Sequence, residues 1–379
     1  MSGFARYSDM SEPGAAPEGD RLIQGGTAED SALRPWWDEG FFDAVRTEDM
    51  SEAIGIRSGR VGPGMPTNLS RYRGCLLGAA CGDALGGPVE FMNREAILKR
   101  HGKPVREMIG GGWLKLDPGE TTDDTAMMRM LAESIVEHDV VDTTDIARRY
   151  VAWMQTNPPD IGNITRYALR AFQSGLGVPN AALGAHRQVN SKSAGNGTIM
   201  RCAPIALRYL YDERRLIDNS REEGLITHFD PQAWTGSIAV NLLIVRLIEG
   251  REPARAIAAV AERLRNIPKA SAEVTEVFAQ ARGDRDSRLL ATSGYVIDTL
   301  RVALWALLGT SSFEEGVVAA INVGGDADTQ GVVTGALAGA LYGEDAIPGR
   351  WLERLQGREE LATLAERLLS AAEYRRVVI

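Results

Sequence analysis

Apolar residues recur every three or four positions along most of the chain after Arg71. This spacing places them on one face of an α-helix, whereas a β-strand would show apolar and polar residues in alternation. No convincing alternation of that kind is found in the sequence. The pattern therefore predicts an all-α domain of about a dozen helices. The clearest predicted helices are TDDTAMMRMLAESIVEH, AWTGSIAVNLLIVRLIEG, YVIDTLRVALWALLG and TQGVVTGALAGALYG.

Residues 1–66 depart from this pattern and are rich in polar residues, glycine, proline and alanine. Within them, PWWDEGFFDAV carries four aromatic residues in seven positions, which is more aromatic surface than disordered segments usually have. We therefore expect a partly ordered N-terminal extension over residues 1–66, followed by one domain over residues 67–379. The aromatic segment either caps that domain or, as an acidic arm over residues 30–50, docks into a partner protein.

The net charge is −9, and residues 1–66 account for −6 of it. Because no basic stripe is present, nucleic-acid binding is not expected, although backbone amides could still bind a substrate that contains one nucleotide. The three cysteines form no CxxC pair, which favours reduced core thiols in a cytoplasmic protein. Neither a signal peptide nor a membrane-spanning segment is expected from the distribution of apolar residues.

Two acidic segments, far apart in the chain, each begin a predicted helix. Their aspartate and threonine side chains are Thr122, Asp123 and Asp124 in the first segment and Asp326, Asp328 and Thr329 in the second. Asp and Thr are favoured at helix N-termini because they accept hydrogen bonds from free backbone N–H groups. One aspartate per helix would suffice for that purpose. If the two helix ends face each other, the four carboxylates would repel one another unless a cation lay between them.

Ligands that are all oxygen atoms select a hard cation, and we therefore expect Mg²⁺ or Mn²⁺. The six side chains, together with waters, suit two octahedral ions that share a bridging carboxylate. Zinc fits poorly because none of the four histidines is paired at ligand spacing. The ligand spacing of a calcium-binding EF-hand is also absent.

Glycines around the second acidic segment indicate a tight turn and close helix packing. Gly324 and Gly325 allow the backbone to bend before Asp326. Three further glycines then recur at four-residue spacing, at positions 331, 335 and 339. Glycine in a helix costs up to about 1 kcal/mol relative to alanine, so we expect this helix to lie against a neighbour at the centre of the domain.

A second candidate site is the segment SAGNGTIM, in which Gly195, Asn196, Gly197 and Thr198 are predicted to open a helix. Free N–H groups at such a glycine-rich helix start can bind a diphosphate. A simple turn from loop to helix is the alternative. The sequence contains no GxxxxGK[ST] motif, so an ordinary P-loop is excluded.

Five further side chains have a functional and a structural interpretation. Asp83 could be a buried partner for a neighbouring helix end, and Glu90 could reach the metal site or gate its entrance. Asp160 lies in a loop punctuated by proline and glycine, where it is either functional or an N-cap. His228 and Tyr295 could contact a substrate, Tyr295 by stacking on a base, although packing roles are the usual ones for such residues.

Taken together, several segments resemble the ADP-ribosylglycohydrolase family, particularly its bacterial dinitrogenase-reductase-activating type. They occur in the family's order from about residue 71 to residue 350, and they are GCLLGAACGDALGGPVEF, PGETTDDTAMM, DIGNITRYALRAF, GNGTIMRCAPIAL, THFDP, SGYVIDTLRVALWAL and NVGGDADTQGVVTGALAGALYG. The resemblance implies an all-α fold with a dinuclear Mg²⁺ or Mn²⁺ centre in a cleft. It assigns the metal ligands to Thr122, Asp123, Asp124, Asp326, Asp328 and Thr329.

The resemblance also implies roles for residues outside the metal ligands. Contacts to ADP-ribose would come from the loop of residues 195–198, from His228 and from Tyr295. Asp160 matches a catalytic or substrate-orienting aspartate of the arginine-specific branch, and Glu90 matches a glutamate that is prominent in the serine-directed branch. Asp160 or one of the ligand aspartates, Asp124 or Asp328, would orient a water molecule or accept its proton.

Two features depart from the family pattern. Thr121 stands where a bulkier, often aromatic, residue is expected before TDD, so the cleft wall differs there. The extension over residues 1–66 lies outside the usual family core. It is similar in kind to that of bacterial immunity proteins, which protect cells from ADP-ribosyltransferase toxins partly by inserting an N-terminal extension into the toxin's active site.

The favoured hypothesis is therefore a hydrolase that removes ADP-ribose from a modified protein side chain, with arginine as the favoured linkage. Serine-linked or small-molecule ADP-ribose is an alternative substrate. A second hypothesis is a binding module whose residues 30–50 block a partner enzyme. A third is a different dinuclear hydrolase, such as a phosphoesterase, although the shortage of histidine argues against it.

Overall fold

The computed structural model describes residues 66–378, and the aromatic segment of the N-terminal extension lies outside this range. Within it the chain forms sixteen α-helices and no β-strand, so the predicted all-α fold is confirmed. The helices are α1 (Asn68–Gly86), α2 (Arg94–His101), α3 (Asp123–His138), α4 (Thr143–Met154), α5 (Asn163–Gln173), α6 (Asn180–Gln188), α7 (Ala203–Arg208), α8 (Glu213–Gly224), α9 (Pro231–Ile248), α10 (Pro253–Arg265), α11 (Ala272–Ala279), α12 (Val296–Gly309), α13 (Phe313–Ile321), α14 (Ala327–Tyr342), α15 (Gly349–Leu352) and α16 (Arg358–Val378). None of the described helices is long and apolar enough to cross a membrane.

Helices α1 and α14 form the centre of the domain, and nearly every residue of both is buried. They run antiparallel, with Gly74, Gly78 and Gly82 of α1 facing the glycines at positions 339, 335 and 331 of α14. A Cβ atom added at Gly78 would lie only 2.4 Å from the carbonyl oxygen of Gly335. The backbones therefore touch directly, as the four-residue glycine spacing predicts, and both helices are apolar on all sides because they are enclosed.

This pairing brings the end of α1 to the start of α14. A Cβ atom at Gly86 would lie 2.3 Å from the carbonyl oxygen of Ala327. The chain continues from Gly86 through a short 3-10 helix, Gly87–Val89, to Glu90. Glu90 and the side chains that open α14 are consequently held near one another by the packing of two rigid helices.

The turn before α14 is fixed by two glycines with left-handed backbone angles. Gly324 has φ +86° and Gly325 has φ +78°, which non-glycine residues rarely adopt. The amide of Phe91 donates to the carbonyl oxygen of Gly325 at 2.7 Å, and the amide of Gly325 donates to that of Met92 at 2.8 Å. The segment after Glu90 and the segment before Asp326 are thereby joined as a short two-stranded contact.

The close contact between α1 and α14 is tested by Gly335→Ala. Its Cβ would lie 2.0 Å from the carbonyl oxygen of Gly78, so the helices must separate. Overpacking of this kind typically costs about 1–3 kcal/mol, and we expect the free energy of unfolding in urea to fall by that amount. Gly184→Ala in α6 is the matched control, since no atom lies within 4 Å of the added Cβ. An unchanged unfolding midpoint for Gly335→Ala would contradict the close packing.

Candidate functional site

Asp83, near the end of α1, anchors the first acidic segment. Its carboxylate is fully buried and accepts hydrogen bonds from the amide of Thr122 at 3.1 Å and from the hydroxyl of Thr125 at 2.5 Å. The amide of Thr125 also donates to it at 3.1 Å. Burial raises the pKa of Asp83 to about 6, while these hydrogen bonds act in the opposite direction. Asp83 therefore fixes the N-terminus of α3 against α1, and its oxygen atoms are occupied by protein donors.

Asp160 is a second anchor of the same helix start. Its carboxylate accepts a hydrogen bond from the amide of Asp123 at 2.9 Å. It does not cap its own helix, because the N-cap residue of α5 is Gly162 and makes no side-chain bond. Burial raises the pKa of Asp160, whereas hydrogen bonds from backbone amides lower it. The loop that carries Asp160 is thus brought to the acidic segment.

The second acidic segment meets the first at this point. Carboxylate oxygens of Glu90, Asp326 and Asp328 lie within 4.8 Å of one another. The pKa of Asp328 is raised well above its ordinary value, first by burial and then by the charges of Glu90, Asp326 and Asp124. The two helix starts predicted to face each other therefore do so, and their carboxylates repel.

Asp124 belongs to the first segment and is close to charges of both segments. Burial raises its pKa strongly, and the charges of Asp123, Asp83 and Asp326 add to the effect. The side chain of Thr329, in the opposite segment, partly offsets the increase.

The residues present fit a divalent cation. Oδ2 of Asp124 is buried and has no hydrogen-bond partner among the described residues, so a ligand is missing where a carboxylate oxygen is fully desolvated. The surrounding donors are carboxylates and hydroxyls, a set typical of Mg²⁺ or Mn²⁺. Burial also raises the pKa of Glu90 to about 8, with the charge of Asp326 contributing. A bound cation would reverse these pKa increases by stabilising the ionised carboxylates.

The glycine-rich loop differs in one respect from the prediction. Gly195, Asn196, Gly197 and Thr198 do not open a helix, because residues 197–201 form a turn and α7 begins only at Ala203. Pro204 lies in the first turn of α7, where its missing N–H is tolerated, and this favours a late start. The amide of Asn196 donates to the carbonyl oxygen of Gly294 at 3.1 Å. Backbone pairing with that neighbouring strand-like segment therefore shapes the loop, rather than a helix start.

Asn196 joins this loop to the acidic cluster, a link that the sequence did not indicate. Its Nδ2 group donates to Asp326 and, at 2.9 Å, to the hydroxyl of Thr299. Thr198, by contrast, is fully buried, and its hydroxyl donates to the carbonyl oxygen of Ala233 in α9 at 2.8 Å. The Thr198 side chain therefore has a packing role.

His228 lies directly behind the loop. The edge of its ring occupies the space next to Gly195 and Gly197, where a Cβ added at Gly197 would lie 2.8 Å from the ring carbon Cε1. The ring is buried, and burial lowers the pKa of His228 to about 3, with the charge of Arg201 contributing. His228 is consequently neutral at physiological pH, and one of its nitrogens carries a proton.

A buried ion pair holds His228 in place. Arg201 and Glu223 are both fully buried and are joined by a bond of 2.5 Å between Nε and Oε1. The guanidinium of Arg201 also donates to the hydroxyl of Thr227 at 2.8 Å, and that hydroxyl lies 2.8 Å from Nδ1 of His228. Since the Thr227 oxygen already accepts from Arg201, its own proton is available to Nδ1. The ring proton of His228 is then expected on Nε2.

Tyr295 lies at the edge of the same loop. It pairs with Gly195 in an isolated β-bridge, and its hydroxyl donates to the side chain of Gln232. Its side chain is 37% exposed, so one ring face is available to a ligand. The structure thus places the predicted substrate-binding residues around one loop, which Asn196 connects to the acidic cluster.

Comparisons with known proteins agree with this geometry. The family model of ADP-ribosylglycohydrolase matches residues 65–377. The chain is 34% identical to the ADP-ribosyl-(dinitrogen reductase) glycohydrolase of Rhodospirillum rubrum, over 78% of this chain and 93% of that protein. It is 33% identical to the ADP-ribosylarginine hydrolase Tri1 of Serratia proteamaculans, over 80% of each chain. A solved structure named ADP-ribosylglycohydrolase-related protein complex superposes with a TM-score of 0.68 at 35% identity, covering 80% of this chain and 99% of that one.

The protonation of His228 can be measured by ¹⁵N NMR of the imidazole nitrogens. We expect the Nε2–H tautomer, unchanged between pH 5 and pH 8, because the pKa is lowered to about 3 and Thr227 donates to Nδ1. Thr227→Val, which removes the hydroxyl at similar volume, should shift the tautomer population toward Nδ1–H. Thr227→Ser is the control and should keep the original spectrum. An Nδ1–H tautomer in the unmodified protein would refute the assignment.

The metal-free protein should lose stability as pH rises from 7 to 8.5. The pKa of a carboxyl group in the acidic cluster is higher in the folded than in the unfolded protein, so its stabilising contribution is present at low pH and is lost as pH rises through the folded value, about 8 for Glu90. The slope is about 1.4 kcal/mol per pH unit for each proton released on unfolding. Urea denaturation at several pH values measures it.

Asp124→Asn combined with Asp328→Asn is the control for this pH dependence. The double variant removes two of the repelling carboxylates and should flatten the slope. Addition of Mg²⁺ to the unmodified protein should also flatten it, because a cation offsets the repulsion. A metal-free protein that becomes more stable across this pH range would contradict the electrostatics described.

Proposed function

Because the chain belongs to the ADP-ribosylglycohydrolase family, we propose that it hydrolyses the N-glycosidic bond between ADP-ribose and arginine side chains of a modified protein. The observation that carries this proposal is the gathering of the Glu90, Asp326 and Asp328 carboxylates beside a glycine-rich loop that is bonded to Asp326. The arginine linkage is supported by the similarity to proteins named ADP-ribosylarginine hydrolase. A serine linkage or free small-molecule ADP-ribose would use the same cleft and is the alternative substrate.

Six side chains would hold a pair of Mg²⁺ or Mn²⁺ ions. They are Thr122, Asp123, Asp124, Asp326, Asp328 and Thr329. When bound, the ions would supply Lewis-acid polarisation of sugar hydroxyls and of a water molecule. The unpartnered, buried oxygen of Asp124 supports this assignment, as does the raised pKa of Asp328.

Two carboxylates would handle protons at the reacting bond. Glu90 has carboxylate oxygens within 4.8 Å of those of Asp326 and Asp328, and it would donate a proton to the leaving nitrogen. Asp160 is bonded to the amide of Asp123 at one oxygen, which fixes its orientation while its other oxygen can accept a proton from water. Their different surroundings would thus give the two groups opposite roles, with Glu90 as acid and Asp160 as base.

The glycine-rich loop would bind the diphosphate of ADP-ribose. Within the described residues, the amide of the partly exposed Gly197 donates to no backbone carbonyl and would bind the anion. A proton on Nε2 of His228 would provide a further donor beside the same glycines. Tyr295 would pack against the adenine base. Binding energy from this distant part of the substrate would position the reacting sugar at the carboxylates.

The acidic, aromatic segment supports a second role in partner binding. Residues 30–50 would insert into an ADP-ribosyltransferase toxin, so that the protein both reverses and blocks the modification as a cytoplasmic immunity protein. Deletion of residues 1–66 should then abolish binding to such an enzyme and leave hydrolysis unchanged. Retained binding after the deletion would eliminate this role.

Hydrolysis is tested with an ADP-ribosylarginine protein and Mg²⁺, by measuring release of ADP-ribose. We expect Asp328→Asn to reduce the rate by at least about a hundred-fold. Loss of a residue that hydrogen-bonds to a metal ligand can already cost about that much, and loss of a ligand itself should cost no less. The shift in melting temperature that Mg²⁺ causes should also decrease. Asp218→Asn, on the exposed surface of α8, is the matched control and should behave as the unmodified protein. No release by the unmodified protein would refute the proposed activity.

A further inference from the structure

Two large aromatic side chains lie exposed beside the acidic cluster. Phe91 is 69% exposed and Trp113 is 46% exposed, although large aromatic residues are usually buried. Their ring centroids are 5.7 Å apart and the ring planes are inclined by 38°, so they form a pair with faces open to solvent. Neither residue has a role in the core or in the proposed metal and diphosphate sites.

The backbone holds Phe91 in an unfavourable conformation. Its φ is +61°, in the left-handed region that bulky residues rarely adopt. The conformation is maintained by the hydrogen bond from its amide to the carbonyl oxygen of Gly325, which immediately precedes Asp326. Strain of this type is usually retained where it serves function. Phe91 is therefore fixed between Glu90, its chain neighbour, and the turn that carries Asp326.

Trp113 is fixed by a glycine turn and by Glu90. The three residues before it, Gly110–Gly112, all have positive φ, and a Cβ at Gly112 would lie 2.8 Å from the carbonyl oxygen of Gly87. The indole Nε1 group donates to the carboxylate of Glu90 at 2.6 Å. The edge of the ring thus contacts a carboxylate that is itself within 4.8 Å of those of Asp326 and Asp328.

We propose that Phe91 and Trp113 bind the guanidinium group of the modified arginine at the mouth of the acidic cluster. This inference rests on the proposed arginine activity and identifies the part of the protein that would recognise the linkage. A guanidinium ion is planar, weakly hydrated and charged at all physiological pH values, and it stacks on aromatic faces. A neutral serine hydroxyl has neither the charge nor the planar face that this stacking uses.

Position distinguishes the guanidinium from the adenine as the ligand of this pair. The bond to be broken must lie at the carboxylates, so the leaving group lies at their entrance, where Phe91 and Trp113 are. The adenine is at the opposite end of ADP-ribose, beyond the diphosphate, and would lie near Tyr295. An aromatic pair next to Glu90 therefore faces the protein side of the substrate.

Substitutions that keep bulk but remove the ring test the proposal. Phe91→Leu and Trp113→Leu should each raise KM for an ADP-ribosylarginine protein about ten-fold, with a smaller change in kcat, because the cation loses an aromatic face. The affinity for free ADP-ribose, which carries no guanidinium, should be unchanged by calorimetry. Phe91→Tyr retains a ring and should restore the original KM. Trp113→Phe keeps an aromatic ring but removes the indole N–H, so it separates the effect of the ring from that of the hydrogen bond to Glu90.

Tyr374→Ala is the matched control, since Tyr374 is 72% exposed on α16 and its replacement should change neither KM nor kcat. An equal loss of ADP-ribose affinity in Phe91→Leu would show that the pair stacks on adenine and would overturn the proposal. An unchanged KM in both leucine variants would overturn it as well. Melting temperatures of all variants establish that they are folded.

A binding measurement separates this inference from the proposed activity. In the presence of Mg²⁺ and ADP-ribose, an N-acetylated arginine amide should quench tryptophan fluorescence, and its neutral citrulline counterpart should bind at least about ten-fold more weakly. Phe91→Leu should remove the difference between the two. If the unmodified protein binds the arginine amide without hydrolysing the modified protein, the activity is wrong and the inference stands. If hydrolysis occurs but the two amides bind equally, the guanidinium site is wrong and the proposed activity stands.

Discussion

The direct contact between the backbones of α1 and α14 determines where every other element of the cleft can lie. Glycines at positions 74, 78 and 82 face glycines at 339, 335 and 331, and this leaves no space for a side chain between the helices. Asp83 and Glu90 leave one end of this pair, while Asp326 and Asp328 begin the partner helix at the same end. The acidic cluster is therefore placed mainly by direct backbone packing of two helices.

Electrostatic repulsion within the cluster is opposed by that packing. Burial and neighbouring charges raise the pKa of several carboxyl groups together, among them Asp124 and Asp328. Backbone amides at the start of α3 donate hydrogen bonds to the carboxylate of Asp83 and to one oxygen of Asp160. Among the described residues, the buried Oδ2 of Asp124 has no protein donor, so the fold gives up stability at a site that a cation would neutralise. Strained or destabilised groups are typical of functional centres.

The helical class and the central position of α14 could be predicted because they depend on local spacing. The period of apolar residues defines helices, and glycine every four residues defines a close-packed face. The convergence of the two acidic segments was also inferable, since four carboxylates exceed what helix capping requires. Short polar helices such as α2, α6 and α8 were not predicted, because tertiary contacts rather than a strong apolar stripe stabilise them.

Contacts between distant loops could not be predicted from the sequence. The bond from Asn196 to Asp326 and the bond from Trp113 to Glu90 join residues that no local pattern relates. The same is true of the loop at residues 195–198, which pairs with Gly294 instead of opening a helix. The sequence indicated which residue types matter, whereas their partners depend on how the helices are arranged.

The three-glycine turn before Trp113 belongs to a loop that is separate in the chain from the two acidic helix starts. Residues 110–116 form a small loop closed on itself by paired bonds between Gly111 and Leu116, and they contribute none of the carboxylates or hydroxyls assigned to the ions. The side chain at position 113 can therefore change without replacing any assigned ion ligand. Phe91, by contrast, adjoins Glu90 in the chain and is bonded to the turn before Asp326, so its position is tied to the acidic cluster.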